Sequence, residues 1–159
     1  MGNEAGEVSF NANKGSQTNS VLPISDEAEV YWGKKLFELQ EKIVVKANTV
    51  DKYAAEKGIK KIDILKIDTQ GFEYEVLLGA AQTLRSGSTM LVYCEVILAS
   101  TYKGQHALDE IIALLRNYGY TIFNIYNLSI SKKGRLRQVD ILFIQNDYLK
   151  EWEAVGNKV

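Results

Sequence analysis

Two carboxylates occupy positions in the sequence from which they could do chemistry. Asp68 ends one apolar run, and Glu95 lies near the end of the next. In open α/β sheets, ligands bind outside the carboxyl ends of the strands, so residues at those ends carry functional weight. If the two strands are neighbours, about 5 Å apart, both carboxylates can face one pocket. They could then share a proton, a cation or a substrate hydroxyl.

The segment around Asp68 also has a structural interpretation. Asp68 and Thr69 precede a helical pattern, and both residue types commonly cap helix N-termini. The spacing alone is compatible with capping, with a functional role, or with both. Gly71 lets backbone and ligand approach closely, and Glu73 falls in the first helical turn, where negative charge suits the helix dipole.

The other reactive side chains favour structural roles. Cys94 is the only cysteine and His106 the only histidine, so we expect neither an intrachain disulfide nor a zinc cluster. A Mg²⁺ or Ca²⁺ site at Asp68 and Glu95 is a weaker alternative, because two carboxylates alone hold such ions poorly. We therefore predict no metal. The basic segment 132–137 could attract an anionic substrate or be a solvated hairpin tip.

Alternating patterns predict an α/β domain that positions these residues. Three strand–helix steps follow one another: 42–47 with 50–56, 62–68 with 72–84, and 90–97 with 107–118. Nearly continuous apolar runs are typical of strands covered on both faces of a parallel sheet. Two last strands, at 120–126 and 139–144, predict an antiparallel hairpin at the sheet edge. The fold class is thus α/β, with a mostly parallel sheet and a C-terminal antiparallel hairpin.

The flanking segments differ in composition from this domain. Residues 1–41 form a polar N-terminal extension with a short strand at 7–11 and a possible helix within 27–41. The domain then covers residues 42–145. Residues 146–159 form a C-terminal tail, either a short amphipathic helix or a frayed end.

The overall composition narrows the classes of partner. The chain has 159 residues, 46% of them apolar and 25% charged, as expected for one globular domain. Its 19 basic and 20 acidic residues nearly cancel, so no global field attracts nucleic acid or an acidic membrane. The sequence has no apolar run of about 18 residues and no signal-peptide pattern at its start. We expect a cytoplasmic protein.

The segment 62–80, IDILKIDTQGFEYEVLLGA, closely resembles the signature of the FkbM family of S-adenosylmethionine-dependent methyltransferases. The resemblance extends over most of residues 42–97. It implies a Rossmann-like methyltransferase fold that transfers a methyl group from S-adenosylmethionine to a hydroxyl of a small molecule, often a sugar or secondary metabolite. It also implies that Asp68 faces donor and acceptor, and that Gln70 and Gly71 shape the same cofactor-side loop. Asp68 or Glu95 would then orient or deprotonate the acceptor hydroxyl as the catalytic residue.

One part of the family pattern is absent from the sequence. The glycines Gly2, Gly6 and Gly15 are scattered, and none follows an apolar strand as a Gly-rich cofactor turn would. By the resemblance, the chain starts after about the third strand of the domain and is expected to be truncated. Alternatively it completes its sheet with another chain, for example as a homo-oligomer through the open edge. A non-catalytic remnant or interaction module of the same fold is the competing interpretation.

Overall fold

The computed structural model describes residues 1–33 and 37–156. Strands and helices are numbered separately in chain order. The strands are β1 (Gly6–Asn13), β2 (Leu39–Ala47), β3 (Ile62–Ile67), β4 (Thr89–Ile97), β5 (Tyr120–Ile130) and β6 (Leu136–Gln145). The helices are α1 (Ala28–Trp32), α2 (Val50–Lys57), α3 (Glu73–Leu78), α4 (Ala81–Arg85), α5 (Leu108–Asn117) and α6 (Asn146–Gly156). The fold is therefore mixed α/β, as predicted.

The main sheet has four strands in the order β3-β4-β6-β5. Strands β3 and β4 are parallel, with Ile67 opposite Cys94, whereas β6 pairs antiparallel with both β4 and β5. The prediction of a mostly parallel sheet is corrected here, since one of the three described pairs is parallel. The reason is that β6 returns from the β5–β6 hairpin into the space beside β4, so both of its pairings are antiparallel.

A second, two-stranded sheet joins β1 to β2. The strands are antiparallel, with Gly6 opposite Ala47. We expected residues 42–47 to be the first strand of the main sheet, but within the part of the chain that the structure describes β2 pairs with β1 alone. Most of β2 is exposed to solvent, and its Val44 is 70% exposed, so the apolar character of this strand does not signal a place in the core.

The main core lies between one face of the sheet and helices α3 and α5. Val92 and Cys94 of β4 are fully buried there, together with Leu77 of α3 and Leu115 of α5. The other face of β3 is open, because Ile64 at its centre is 60% exposed. Strand β3 is also an edge strand of the sheet. Just beyond the carboxyl end of β3, the Asp68 side chain is 40% exposed.

The segment after Asp68 forms two helices where the sequence predicted one. Helix α3 ends at Leu78 and α4 begins at Ala81, so the predicted helix over 72–84 is interrupted. The backbone of Gly2 packs against Gly79 so closely that a Cβ on Gly79 would collide with the Gly2 carbonyl oxygen. The local apolar pattern of the sequence could not predict this long-range contact.

Other local predictions are confirmed. The Thr49 hydroxyl accepts a hydrogen bond from the Lys52 amide at the start of α2, and Gly58 ends that helix with φ +66°. The tail forms helix α6. The possible helix at 27–41 is limited to α1, while residues 34–36 lie outside the described residues. The domain boundaries at 41/42 and 145/146 remain predictions, and no helix of the described part of the chain could span a membrane.

Candidate functional site

The parallel pairing of β3 with β4 places Asp68 and Glu95 at one end of the sheet. The Gln70 amide nitrogen lies between them, 3.2 Å from Asp68 Oδ1, and donates a hydrogen bond to Glu95 Oε2. The Lys66 ammonium lies 2.7 Å from the other oxygen of Asp68. The sequence thus placed both carboxylates in one region, and the structure adds Gln70 as the bridge.

The two carboxylates differ in proton affinity. Burial, together with the negative charges of Asp68, Glu73 and Asp140, raises the pKa of Glu95 to about 8. Burial also acts to raise the pKa of Asp68, but the hydrogen bonds from Lys66 and Gln70 outweigh it and lower that pKa below its usual value. Near neutral pH, Glu95 therefore holds a proton while Asp68 carries a negative charge.

Two further side chains, which the sequence did not single out, fix this pair. The Gln138 amide donates a hydrogen bond of 2.6 Å to Glu95 Oε1. The Tyr102 hydroxyl lies 3.2 Å from Gln70 Oε1 and 3.0 Å from the Thr18 carbonyl oxygen. Burial raises the pKa of Tyr102, so its hydroxyl remains a donor. Both residues come from segments far away in sequence, and no local motif marks them.

Glu73 organises the loop between Asp68 and α3. Its side chain is only 3% exposed, and its Oε1 accepts hydrogen bonds from the amides of Thr69 at 2.9 Å and Gly71 at 3.1 Å. Burial raises the pKa of Glu73, and those amide donors act in the opposite direction. The carboxylate thus replaces water for two backbone groups, which is a structural role beyond the dipole interaction expected from sequence.

Gly71 and Gln70 take unusual backbone conformations in that loop. Gly71 has φ +94°, and a Cβ there would lie 2.9 Å from the ring of Tyr102. Gln70 has φ +54°, and its carbonyl accepts a hydrogen bond of 2.7 Å from Ser20 Oγ. The close contact at Gly71 is thus with Tyr102, and the loop is held from two sides.

Two cavities flank this loop. The smaller, of about 260 Å³, is lined by Gln70 and Glu95. The larger, of about 380 Å³, is lined by Asp68 and Thr69. The loop from Asp68 to Gln70 therefore forms a shared boundary, with one carboxylate facing each cavity.

Helix α1 closes the smaller cavity on one side. The Trp32 indole donates a hydrogen bond of 2.8 Å to Thr101 Oγ1, and the Arg137 guanidinium lies 4.4 Å from the centre of the Trp32 ring system. Arg137 also donates to the Tyr31 carbonyl at 2.8 Å. We interpreted the basic segment 132–137 either as a site for an anionic substrate or as a solvated hairpin tip. Arg137 has neither role, because it attaches α1 to the sheet.

The described residues offer little to a metal ion. Across residues 1–33 and 37–156, no group of three or more His, Cys, Asp or Glu side chains is arranged to hold one.

Asp68 and Glu95 thus lie at the ends of adjacent parallel strands and between two cavities, the place where ligands bind in open α/β sheets. The sequence model of the methyltransferase FkbM domain matches residues 1–122. The chain belongs to this family, as the resemblance at residues 62–80 predicted.

A similar protein is the 2-O-methyltransferase NoeI of Sinorhizobium fredii (strain NBRC 101917 / NGR234), which is 33% identical over 76 residues. That alignment covers 48% of this chain and 30% of the relative, so the chain spans less than a third of the protein that it matches. No solved structure matches the chain.

Proposed function

We propose that this chain acts in S-adenosylmethionine-dependent O-methyl transfer to a hydroxyl of a sugar or a secondary metabolite. The observation that carries the proposal is the pair of Asp68 and Glu95, which Gln70 joins at the boundary of two cavities. One cavity would hold the methyl donor and the other the acceptor. The family membership supports methyl transfer in general.

The larger cavity suits the donor in size and chemistry. Its volume of about 380 Å³ falls within the roughly 300–1,000 Å³ of small-molecule sites. Phe10 and Phe72 offer apolar surface to an adenine ring, and Glu4 and Glu7 offer acceptors to ribose hydroxyls. When bound, S-adenosylmethionine supplies a methyl group on a positively charged sulfur, which keeps the bonding electron pair as the acceptor oxygen takes the methyl carbon. Asp68 is ionised and favours that cation, while the Lys66 ammonium at 2.7 Å offsets part of its negative charge.

Gln70 and Gly71 contribute indirectly to cofactor binding in this proposal. Neither lines the larger cavity. Gln70 instead holds Asp68 by a hydrogen bond, and Gly71 permits the turn that places this bond beside Tyr102. Their part is to position the loop that carries Asp68.

Glu95 is the group that takes the proton from the acceptor. An uncharged hydroxyl has a pKa far above neutral, and a positioned base contributes roughly 10²- to 10⁴-fold to such a reaction. With a pKa of about 8, Glu95 is the stronger base of the two carboxylates. It must lose its own proton first, so transfer is expected to accelerate as the pH rises towards 8.

Calorimetric titration tests the donor site. The 159-residue chain is titrated with S-adenosylmethionine and, separately, with S-adenosylhomocysteine, whose sulfur is uncharged. We expect saturable binding of both, and we expect Asp68→Asn to weaken the charged ligand by about tenfold or more, with a smaller effect on the uncharged one. Asp63→Asn on the exposed side of β3 is the matched control.

The alternative of a non-catalytic module follows from the absent Gly-rich turn. No heat with either ligand, from a chain whose circular dichroism shows it to be folded, would support that alternative. If Asp68→Asn lowered the affinity for both ligands equally, the Asp68 carboxylate would not interact with the positive charge on the sulfur.

A further inference from the structure

A third cavity, which we call the basic cavity, lies beside the loop that follows β4. That loop contributes Lys103 to its lining, and the connection between β5 and β6 contributes Arg135. Its volume is about 480 Å³, within the roughly 300–1,000 Å³ of small-molecule sites. It shares Ile97 and Tyr102 with the smaller cavity. The basic cavity therefore lies at the same end of the sheet as Asp68 and Glu95, but on different side chains.

Two permanent positive charges line the basic cavity. They belong to Lys103 and Arg135, and none of the described lining residues is Asp or Glu. Lys103 is paired with Asp26 at 3.0 Å, but the Asp26 side chain is 93% exposed. An ion pair so open to water contributes only about 0–1 kcal/mol. An anion of higher charge can therefore compete with Asp26 for the Lys103 ammonium.

His106 also lines the cavity, but its charge is balanced by acidic neighbours. One ring nitrogen lies 3.3 Å from a Glu75 oxygen and the other lies 3.1 Å from a Glu110 oxygen. Any positive charge on the ring is therefore offset by two carboxylates. The attraction for an anion comes from Lys103 and Arg135.

The Arg135 guanidinium is held in place while most of its donors stay available. It lies 4.8 Å from the centre of the Tyr31 ring and donates a hydrogen bond of 2.6 Å to the Tyr31 hydroxyl. It has no other hydrogen-bond partner among the residues that the structure describes. Its planar fork of N–H donors matches the paired oxygens of a phosphate or carboxylate. Since the group is already positioned, binding costs less conformational entropy.

Two serine hydroxyls add a neutral donor to the same cavity. Ser25 Oγ and Ser100 Oγ lie 3.2 Å apart, and Ser25 Oγ also accepts a hydrogen bond of 3.3 Å from the Glu27 amide. One of the two hydroxyl hydrogens serves the bond between the serines. The other has no acceptor within residues 1–33 and 37–156, so it is available to an oxygen of a ligand.

This set of donors suits a phosphate ester better than a carboxylate. A phosphate monoester carries about −1.5 to −2 charges at neutral pH and three acceptor oxygens, which two cations and a hydroxyl can match. Ile97, Leu98 and Leu108 form an apolar wall of the cavity. Because apolar surface gains free energy by leaving water, the phosphate is expected to carry an apolar group.

We propose that the basic cavity binds a small organic phosphate ester. Its phosphate lies between the Lys103 and Arg135 cations and the two serine hydroxyls, and its apolar group contacts the apolar wall. This second binding site goes beyond the proposed methyl transfer and does not depend on it. Within the basic segment 132–137, Arg135 is then the residue that binds an anion, whereas Lys132 and Lys133 do not line the cavity.

An NMR titration of the ¹⁵N-labelled chain tests the proposal and locates the site. The probes are phenyl phosphate, phenyl sulfate, phenol and inorganic phosphate, at constant pH and ionic strength. We expect phenyl phosphate to shift the amide signals of Ser100, Lys103 and Gly104 saturably. Phenyl sulfate has the same shape with a single charge and should bind about threefold more weakly or worse. Phenol lacks the charge and inorganic phosphate lacks the ring, so each should bind about tenfold more weakly or worse.

Substitutions separate the cavity from a general attraction to the hairpin. Arg135→Gln should weaken phenyl phosphate binding about tenfold or more, since it removes a charge-assisted hydrogen bond. Lys133→Gln is the matched control, because it removes the same charge from an exposed position of the same hairpin and should change the affinity by less than about twofold. Ser100→Ala leaves the charges and the Tyr31 contact intact, and it should weaken binding about threefold. This variant tests the site even if Arg135→Gln loosens α1.

Several outcomes would overturn the proposal. They are the absence of a saturable shift, shifts centred on Lys132 and Lys133, equal losses in Arg135→Gln and Lys133→Gln, and binding of any other probe as tight as that of phenyl phosphate. The methyl donor is absent from this titration. A negative result would therefore leave the methyl-transfer proposal standing, and failure of the calorimetric titration would leave the basic cavity standing.

Discussion

Glu95 ties the acid–base chemistry of the site to the stability of the chain. Its pKa is raised from 4.5 to about 8, chiefly by burial. Between these two values the folded chain binds more protons at Glu95 than the unfolded chain does. The contribution of Glu95 to the free energy of unfolding is therefore fully present below about pH 4.5 and is lost as the pH rises through 8.

Glu95→Gln is expected to remove this loss, because the amide stays neutral at every pH. Urea unfolding at pH 5, 7 and 9 should show the variant gaining stability relative to the wild type as the pH rises. The control is Glu153→Gln on the exposed helix α6, which should keep the wild-type dependence. If the stability of Glu95→Gln showed the same pH dependence as that of the wild type, the raised pKa of Glu95 would be wrong.

Gly71 is expected to be far less tolerant of substitution than other turn glycines. Gly71→Ala suffers both the unfavourable φ of +94° and the contact with Tyr102 at 2.9 Å. The backbone conformation lowers the free energy of unfolding by about 1–2 kcal/mol. The steric contact with Tyr102 lowers it by about 1–3 kcal/mol more. Gly134→Ala has a similar φ of +82° with nothing within 4 Å, so it measures the backbone effect alone. Equal unfolding free energies for the two variants would contradict the contact with Tyr102.

The shared location of Asp68 and Glu95 was predictable because strand ends are readable from apolar runs. The side chains that hold Glu95 and Gln70 in place were not predictable. Gln138 comes from β6 and Tyr102 from the loop after β4, and both reach the site only through the tertiary fold. A lone glutamine or tyrosine has no sequence signal for such a role.

At the scale of elements, two arginines contact α1, because Arg135 donates a hydrogen bond of 2.6 Å to the Tyr31 hydroxyl and Arg137 of β6 makes several contacts. Arg137 donates to the Tyr31 carbonyl and to Ser129 Oγ at 3.0 Å, and it covers the Trp32 ring. Arg137→Gln is expected to loosen α1 by about 2–3 kcal/mol, since hydrogen bonds from a charged donor contribute about 1.5–3 kcal/mol.

Hydrogen exchange checks this prediction amide by amide. Exchange in Ala28–Trp32 should accelerate in Arg137→Gln, while exchange in β4 should change little. Arg116→Gln on the exposed side of α5 is the matched control. Unchanged protection of α1 in Arg137→Gln would show that the other contacts of the helix suffice to hold it, namely the hydrogen bonds of Tyr31 with Arg135 and of Trp32 with Thr101 and the apolar cluster with Leu22, Ile24 and Phe37.

The elements that could be predicted from sequence are those set by local patterns. The run from Ile62 to Ile67 forms a strand as expected, and Thr49 begins α2 by capping. The pairing of β2 with β1 and the close approach of Gly2 to Gly79 could not be predicted, since both involve the first residues of the chain. Local patterns specify elements, whereas the choice of partner is a long-range property.

At the scale of the whole molecule, the open side of β3 favours association with a second copy of the chain. Strand β3 is an edge strand, and Ile64 is 60% exposed beside an apolar groove of about 360 Å³ lined by Leu91, Tyr93 and Leu142. Unpaired strand edges with exposed apolar residues are templates for pairing with another chain. The sequence led to the same expectation of a homo-oligomer.

We therefore expect the purified chain to self-associate in a concentration-dependent manner, as sedimentation velocity would show. Ile64→Lys should weaken this association by about tenfold or more, because a lysine on an edge strand opposes pairing with a second copy. Leu128→Lys is the matched control, since Leu128 is 57% exposed on β5 at the opposite edge of the sheet. Dissociation by Leu128→Lys but not by Ile64→Lys would move the interface to β5, and a monomer at every concentration would mean that the open edge of β3 is stable without a partner.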